Sequence, residues 1–232
     1  MVLLQWFLAL LLLLVVQQQQ VQALTSCKLR VEGFGTGQGL KSAQLPCSGG
    51  SIQAAAHPSL LRSFAGNFSG VGWSDHSSCA DYKKDCVLTI CGNSTVRFPS
   101  AVVRRVNTSK DVRMLLCLAG SSNVVFEGAH FQGNTGRSIT ALSQGVRLHI
   151  QGSTFSNNNL PWKELPGGAL LLDGGSALIE STNFSGNTAL SSGGAIGVRK
   201  TAALKMVASV VRGNTGEPCT GGVQFPQAHD HS

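Results

Sequence analysis

The sequence predicts an all-β fold, a right-handed parallel β-helix of about five coils. Three observations predict it. Four segments starting at Val124, Leu148, Ala177 and Leu204 overlay on one another, and each closes on an asparagine: Asn134, Asn158, Asn187 and Asn214. The anchors Phe131, Phe155, Phe184 and Val211 fall 24, 29 and 27 residues apart, a period that belongs to stacked units rather than to one globular core. Within each unit apolar residues alternate (Val124 and Phe126, Leu148 and Ile150, Ala177 and Ile179, Leu204 and Met206), with Val125, His149, Leu178 and Lys205 between them. Period two is the strand signature, and no window of similar length sustains a 3.6-residue period.

Residues 1–23 read as a signal peptide. The run Val2 to Val16 is nearly unbroken apolar sequence, shorter than the ~20 residues a membrane span takes. Val21-Gln22-Ala23 suits cleavage. A rival reading is a bacterial lipobox at Leu24-Thr25-Ser26-Cys27, disfavoured by the polar gap between Val16 and Cys27. Export agrees with four sequons, at Asn67, Asn93, Asn107 and Asn183, which mark candidate glycosylation sites. In a chain rich in Asn, Ser and Thr some of these matches are accidental.

Residues 24–86 lack the coil pattern and are expected to form a disulfide-stapled N-terminal cap, because an open solenoid end exposes core and strand edges. The disulfide candidates are Cys27, Cys47, Cys79, Cys86, Cys91 and Cys117, with connectivity unread. A zinc site at Cys79, Cys86 and Cys91 is the alternative. It lacks paired Cys-x-x-Cys spacing and is disfavoured by an oxidising destination.

Residues 87–223 carry the repeats. Leu88, Ile90, Val96 and Phe98 match Leu116, Leu118, Val124 and Phe126 as a weaker copy. Phe131, Phe155 and Phe184 are expected to stack inside as a column of rings. The asparagines are expected at a bend, where Asn tolerates a left-handed backbone, with side chains bonded coil to coil. The pairs Gly167-Gly168, Gly193-Gly194 and Gly221-Gly222 mark another corner, where missing side chains permit close approach. Residues 224–232 read as a tail or the start of a further coil. Cys219 is the odd seventh cysteine.

The Gly-Gly-Ala-Leu of Gly167 to Leu170 and the Gly-Gly-Ala-Ile of Gly193 to Ile196, alternating with Phe131…Asn134, Phe155…Asn158 and Phe184…Asn187, resemble the GGA[ILV]/FxxN repeat of polymorphic outer membrane proteins. The resemblance covers residues 88–223 and departs from the pattern at Val211 and at Gly221-Gly222-Val223. It implies a pectin-lyase-like β-helix on a secreted or surface protein, often an adhesin. The outer-membrane barrel that ends bacterial members has no counterpart here. A membrane contact is therefore expected only through a C-terminal region beyond these residues.

Charged residues make up 12% of the chain and the net charge is +7, none of it from residues 1–23. Arg97, Arg104, Arg105, Lys110 and Arg113 form the densest basic stretch, read either as an attraction for anionic polysaccharide or as a solvated outer face. Nucleic acid is not expected as a partner. The insertion from Asn159 to Pro166 holds two prolines and is expected to leave the ladder as a side loop. Its Trp162 and Lys163 join Arg104 and Arg105 as candidate ligand contacts.

Enzymes of this fold set acidic clusters on the coil wall. Here the acids within the clear repeats are Glu127, Glu164, Asp173, Glu180 and Glu217. Glu127 and Glu180 share a repeat position two coils apart, about 10 Å along the axis. No Asp-Asp or Gly-His-Gly element accompanies them. His130 and His149 show no partner within their coils, and His229-Asp230-His231 lies in the tail. No catalytic constellation, cofactor or metal site is read. The expected function is a non-enzymatic, extracellular role in adhesion, matrix structure or glycan binding, with self-association at an open C-terminal end as a further expectation. The alternatives are a polysaccharide lyase or hydrolase and an inactive fragment of a larger surface protein.

Overall fold

The computed structural model describes residues 25–32, 42–44, 47–48, 53–56, 86–108, 113–163 and 166–217. Among them are 23 strands and no helix, wound as a parallel β-solenoid of about four turns. The first sheet orders β21 (Ala203–Val207), β17 (Ser176–Glu180), β13 (Arg147–Gln151), β10 (Asn123–Glu127), β7 (Thr95–Pro99), β1 (Thr25–Cys27) and β4 (Cys47–Ser48). The second orders β22 (Val210–Arg212), β18 (Asn183–Ser185), β14 (Thr154–Ser156), β11 (His130–Gln132), β8 (Val102–Arg104), β2 (Arg30–Glu32) and β3 (Ser42–Gln44). The third orders β20 (Ile196–Val198), β16 (Leu170–Leu172), β12 (Arg137–Ala141), β9 (Met114–Leu118), β6 (Cys86–Cys91) and β5 (Gln53–Ala56). A short fourth sheet joins β15 (Asn159–Leu160), β19 (Thr188–Ser192) and β23 (Thr215–Glu217).

The register is that of the repeats. Leu88 lies opposite Leu116 and Phe98 opposite Phe126. Phe131, Phe155 and Phe184 pair in turn, their rings stacked at 4.8 and 4.7 Å between centroids. A second column, Phe98 on Phe126, stacks at 5.0 Å. These rings are fully buried, with Val124, Leu148, Ile150 and Ile179 beside them. Offset aromatic stacking adds about 0.5–1.5 kcal/mol per pair beyond area burial.

Asn134, Asn158, Asn187 and Asn214 form the expected ladder. Asn134 Nδ2 donates to Asn158 Oδ1 at 2.9 Å, Asn158 Nδ2 to Asn187 Oδ1 at 2.8 Å, and Asn187 Nδ2 to Asn214 Oδ1 at 2.8 Å. Each Nδ2 also donates to a carbonyl of the preceding coil, namely Val103, Phe131, Phe155 or Phe184. The backbone conformation expected of these asparagines belongs instead to the residue before them: Gly133, Asn157, Gly186 and Gly213 all have φ between 54° and 62°. The asparagine keeps an ordinary backbone because its role lies in the side-chain amide, and the turn is made one residue earlier. A second ladder closes the other corner. Ser153, Thr182 and Ser209 hydroxyls accept from the backbone N–H of Ala129, Ser153 and Thr182.

The Gly-Gly corner is built on close approach. A Cβ on Gly168 would lie 2.2 Å from Gly194 O and 2.6 Å from Thr188 O, and one on Gly194 would lie 2.4 Å from Thr215 O. Gly221 and Gly222 lie outside the described residues.

Two segments differ from their sequence expectation. Asn159 and Leu160, read as part of a projecting loop, belong to the ladder: they pair with Thr188 and Ala189, and Leu160 is fully buried. The prolines act only after Leu160, so the chain leaves the ladder after that residue. Thr25–Cys27 and Arg30–Glu32 extend the first two sheets in parallel, with Cys27, Leu29 and Val31 in the core. The terminal strands at this end, β4, β3 and β5, run antiparallel.

Disulfides Cys27–Cys47 and Cys86–Cys117 staple this end. Cys91 is disulfide-bonded as well, so the zinc reading loses two of its three thiolates. Cys79 and Cys219 lie outside the described residues.

Candidate functional site

The first sheet presents its outer face as three columns. One runs Thr95, Asn123, Arg147, Ser176, Ala203; the middle one Arg97, Val125, His149, Leu178, Lys205; the third Pro99, Glu127, Gln151, Glu180, Val207. Residues of one column are about 4.8 Å apart, so five rungs set a face about 19 Å long.

Two hollows adjoin along it and share Asn123, Arg147 and Ser176. The larger, about 610 Å³, is bounded by Asn93, Thr95 and Ser121 and has Gly145 and Gly175 in its wall. The other, about 430 Å³, continues past His149 and Leu178 to Lys205. Glycine at 145 and 175 answers to close approach of the coils: a Cβ on Gly145 would lie 2.7 Å from Gly120 O, and one on Gly175 would lie 2.5 Å from Val146 O. The lining holds Arg147, His149 and Lys205 but no carboxylate.

Two acid–base pairs stand on the same face. Arg97 is ion-paired with Glu127 through its Nη2, and that hydrogen bond together with the carboxylate charge raises the arginine pKa above its ordinary value. His149 Nε2 lies 2.8 Å from Glu180 Oε2. His149 has no carboxylate partner within its own coil, as the sequence reads; its partner comes from the next coil. Both pairs have one geometry, a middle-column base reaching diagonally to a third-column acid one rung on. Glu127, Gln151 and Glu180 share one register column, as the repeats predict.

The other predicted contacts lie elsewhere. Trp162 is half-buried and Lys163 exposed just after β15. Arg104 and Arg105 are exposed at the end of β8, Arg105 at φ 54°. None of these four lines either hollow. The basic stretch is divided between Arg97 on the first sheet and Arg104 on the second; Lys110 is outside the described residues. Asn93 and Asn107 are exposed, while Asn183 is partly buried in β18. Asn67 is outside the described residues.

Arg137 went unnoticed in the sequence. It is completely buried, with Nε donating to Gly167 O at 2.9 Å and Nη2 to Pro166 O at 2.7 Å. Burial first, then the nearby Arg199 cation, pushes its pKa down to about 9, with Asp173 opposing. It fastens Pro166 and Gly167 where the chain leads into β16. The only sequence signal is that Arg137 stands in the strand position held by Cys86 and Met114 in the coils before it.

Among the described residues no group of three His, Cys, Asp or Glu is placed to hold a metal ion. No protein-family model, curated protein or solved structure matches the chain.

Proposed function

We propose that this is an extracellular β-helix protein of the polymorphic-outer-membrane-protein repeat type, serving adhesion or matrix structure by binding a linear anionic polysaccharide along the first sheet. The observation that carries the reading is the carboxylate-free groove shared by Asn123, Arg147 and Ser176. Small polar side chains meet sugar hydroxyls, and Arg147 supplies the bidentate donor that suits a carboxylate or sulfate. A groove of about 19 Å accommodates several sugar rings in a row. The disulfides fit an oxidising, extracellular setting.

The test is titration of the full chain with a polyuronate and a sulfated polysaccharide at two ionic strengths. Binding that weakens with salt, and by about tenfold in Arg147→Ala, is expected. No binding to either polymer at low salt refutes the reading.

One observation favours a second reading, a lyase or hydrolase. A carboxylate orienting a histidine is a general-base arrangement, and His149–Glu180 has it at 2.8 Å. Chain cleavage lost in both His149→Gln and Glu180→Gln would select that reading; binding without cleavage selects the first.

A further inference from the structure

We infer that the near half of this groove is the seat of the chain's own glycan, carried on Asn93. The inference rests on the glycan-binding reading and is argued from two independent observations. Asn93-Ser94-Thr95 is a sequon, and the Asn93 side chain bounds the larger hollow. Asn93 is exposed on the turn between β6 and β7, a turn held by Ser94 Oγ donating to Cys91 O at 2.8 Å. A sugar on its Nδ2 therefore starts at the mouth of a depression already lined by Asn123, Arg147 and Ser176.

The other described sequons lack this placement. Asn107 is exposed in a lone bridge to Thr135 and bounds neither hollow. Asn183 stands between Thr154 and Val210 on the second sheet, with Oδ1 buried and without a partner.

The chemistry is that of secretory N-glycosylation. Asn93 Nδ2 forms a bond to the anomeric carbon of a lipid-linked oligosaccharide, the bond from that carbon to the carrier's pyrophosphate oxygen breaks, and the amide proton is lost to solvent as the intact lipid pyrophosphate leaves. A tethered sugar meets the groove at an effective concentration of the order of millimolar. Affinities too weak to hold a free oligosaccharide then suffice to hold this one. The glycan competes with an external chain for Asn123, Arg147 and Ser176, while the stretch from His149 to Lys205 stays open to that chain.

The experiment uses the full chain secreted from a eukaryotic host that glycosylates. Site occupancy is mapped by mass spectrometry, and the native-state rate of endoglycosidase release is followed at each occupied asparagine. Asn93 is expected to be occupied and to lose its glycan about tenfold more slowly than Asn107. Arg147→Ala is expected to abolish the difference by speeding release at Asn93 alone. Should that variant be poorly secreted, Asn123→Ala, which alters the same wall, replaces it. An unmodified Asn93, equal release rates at the two sites, or slow release unaffected by both wall variants overturns the inference. Polysaccharide titration of the wild-type chain produced in a host that does not glycosylate tests the underlying reading separately. If it binds no polymer while the wild-type glycan is still shielded, the external-ligand reading alone fails.

Discussion

Replacing Asn158 by alanine tests the asparagine ladder where it is most enclosed. Asn158 is fully buried and its side chain makes four hydrogen bonds. Oδ1 accepts from Asn134 N at 3.2 Å and Asn134 Nδ2 at 2.9 Å, while Nδ2 donates to Phe131 O at 3.0 Å and Asn187 Oδ1 at 2.8 Å. After truncation Asn134 Nδ2 keeps Val103 O, and Asn187 Oδ1 keeps the backbone N–H of Asn158. The Asn134 N–H loses its side-chain partner inside the wall, and the Phe131 carbonyl, which sits in the ladder between β11 and β14, loses its second donor. At about 1–3 kcal/mol for the buried orphan and about 1 kcal/mol for each further bond lost, the expected loss is about 4 kcal/mol, or about 8–16 °C in Tm for a chain of this size. Asn214 is the natural control. It occupies the same ladder position but is only partly buried, and water replaces its bonds, so Asn214→Ala is expected to cost about 1 kcal/mol. Urea and thermal unfolding of the oxidised proteins, followed by far-UV circular dichroism, measure both. Equal losses in the two variants, or a loss under about 1 kcal/mol at Asn158, would refute the argument that enclosed amide pairing holds the coils together.

The Gly-Gly corner and the glycines at the asparagine corner should respond differently. Gly168→Ala drives a methyl into two backbone carbonyls and is expected to abolish secretion of folded protein. Gly133→Ala meets nothing within 4 Å at φ 61° and costs about 1–2 kcal/mol of left-handed strain, measurable as a modest Tm decrease. Arg137 predicts a pH signature. Its folded pKa of about 9 lies well below the ordinary guanidinium value, so between the two the unfolded chain holds the proton and stability rises with pH from about 9 upward. Below that interval both states are protonated and the group contributes no slope. Chemical denaturation at pH 8 and pH 10.5 is expected to show a rise in wild type, relative to Arg137→Met, that the variant lacks.

The repeats made the register readable because alternation and the Phe-x-x-Asn anchor act together. Val96, Val124, Leu148, Ala177 and Leu204 were alignable by eye, and they stand opposite one another. The rung at residues 25–32 was not readable. Cys27, Leu29 and Val31 alternate, but over too few residues, and no anchor follows them. The ion pairs were hidden for a different reason. Arg97 and Glu127, and His149 and Glu180, are 30 and 31 residues apart, and they meet only because stacking converts a repeat length into a diagonal contact. Once the columns are laid out, a base in the middle column with an acid two residues further along in the next coil is a recognisable signal. Buried Arg137 had no such pattern, since its partners are backbone carbonyls, which any residue supplies.

Each coil combines a stretch of fixed length with one of variable length. Val124 to Asn134, Leu148 to Asn158, Ala177 to Asn187 and Leu204 to Asn214 span identical lengths. All variation in coil size falls between an asparagine and the start of the next first-sheet strand. A single added residue in the constant half shifts every later side chain out of its column, whereas residues 161–166 show the other half absorbing several. Engineered epitopes placed between Pro161 and Pro166 should therefore be displayed without altering the first sheet. Any natural diversification by insertion is confined to the same flank, leaving the opposite wall as the constant surface of the molecule.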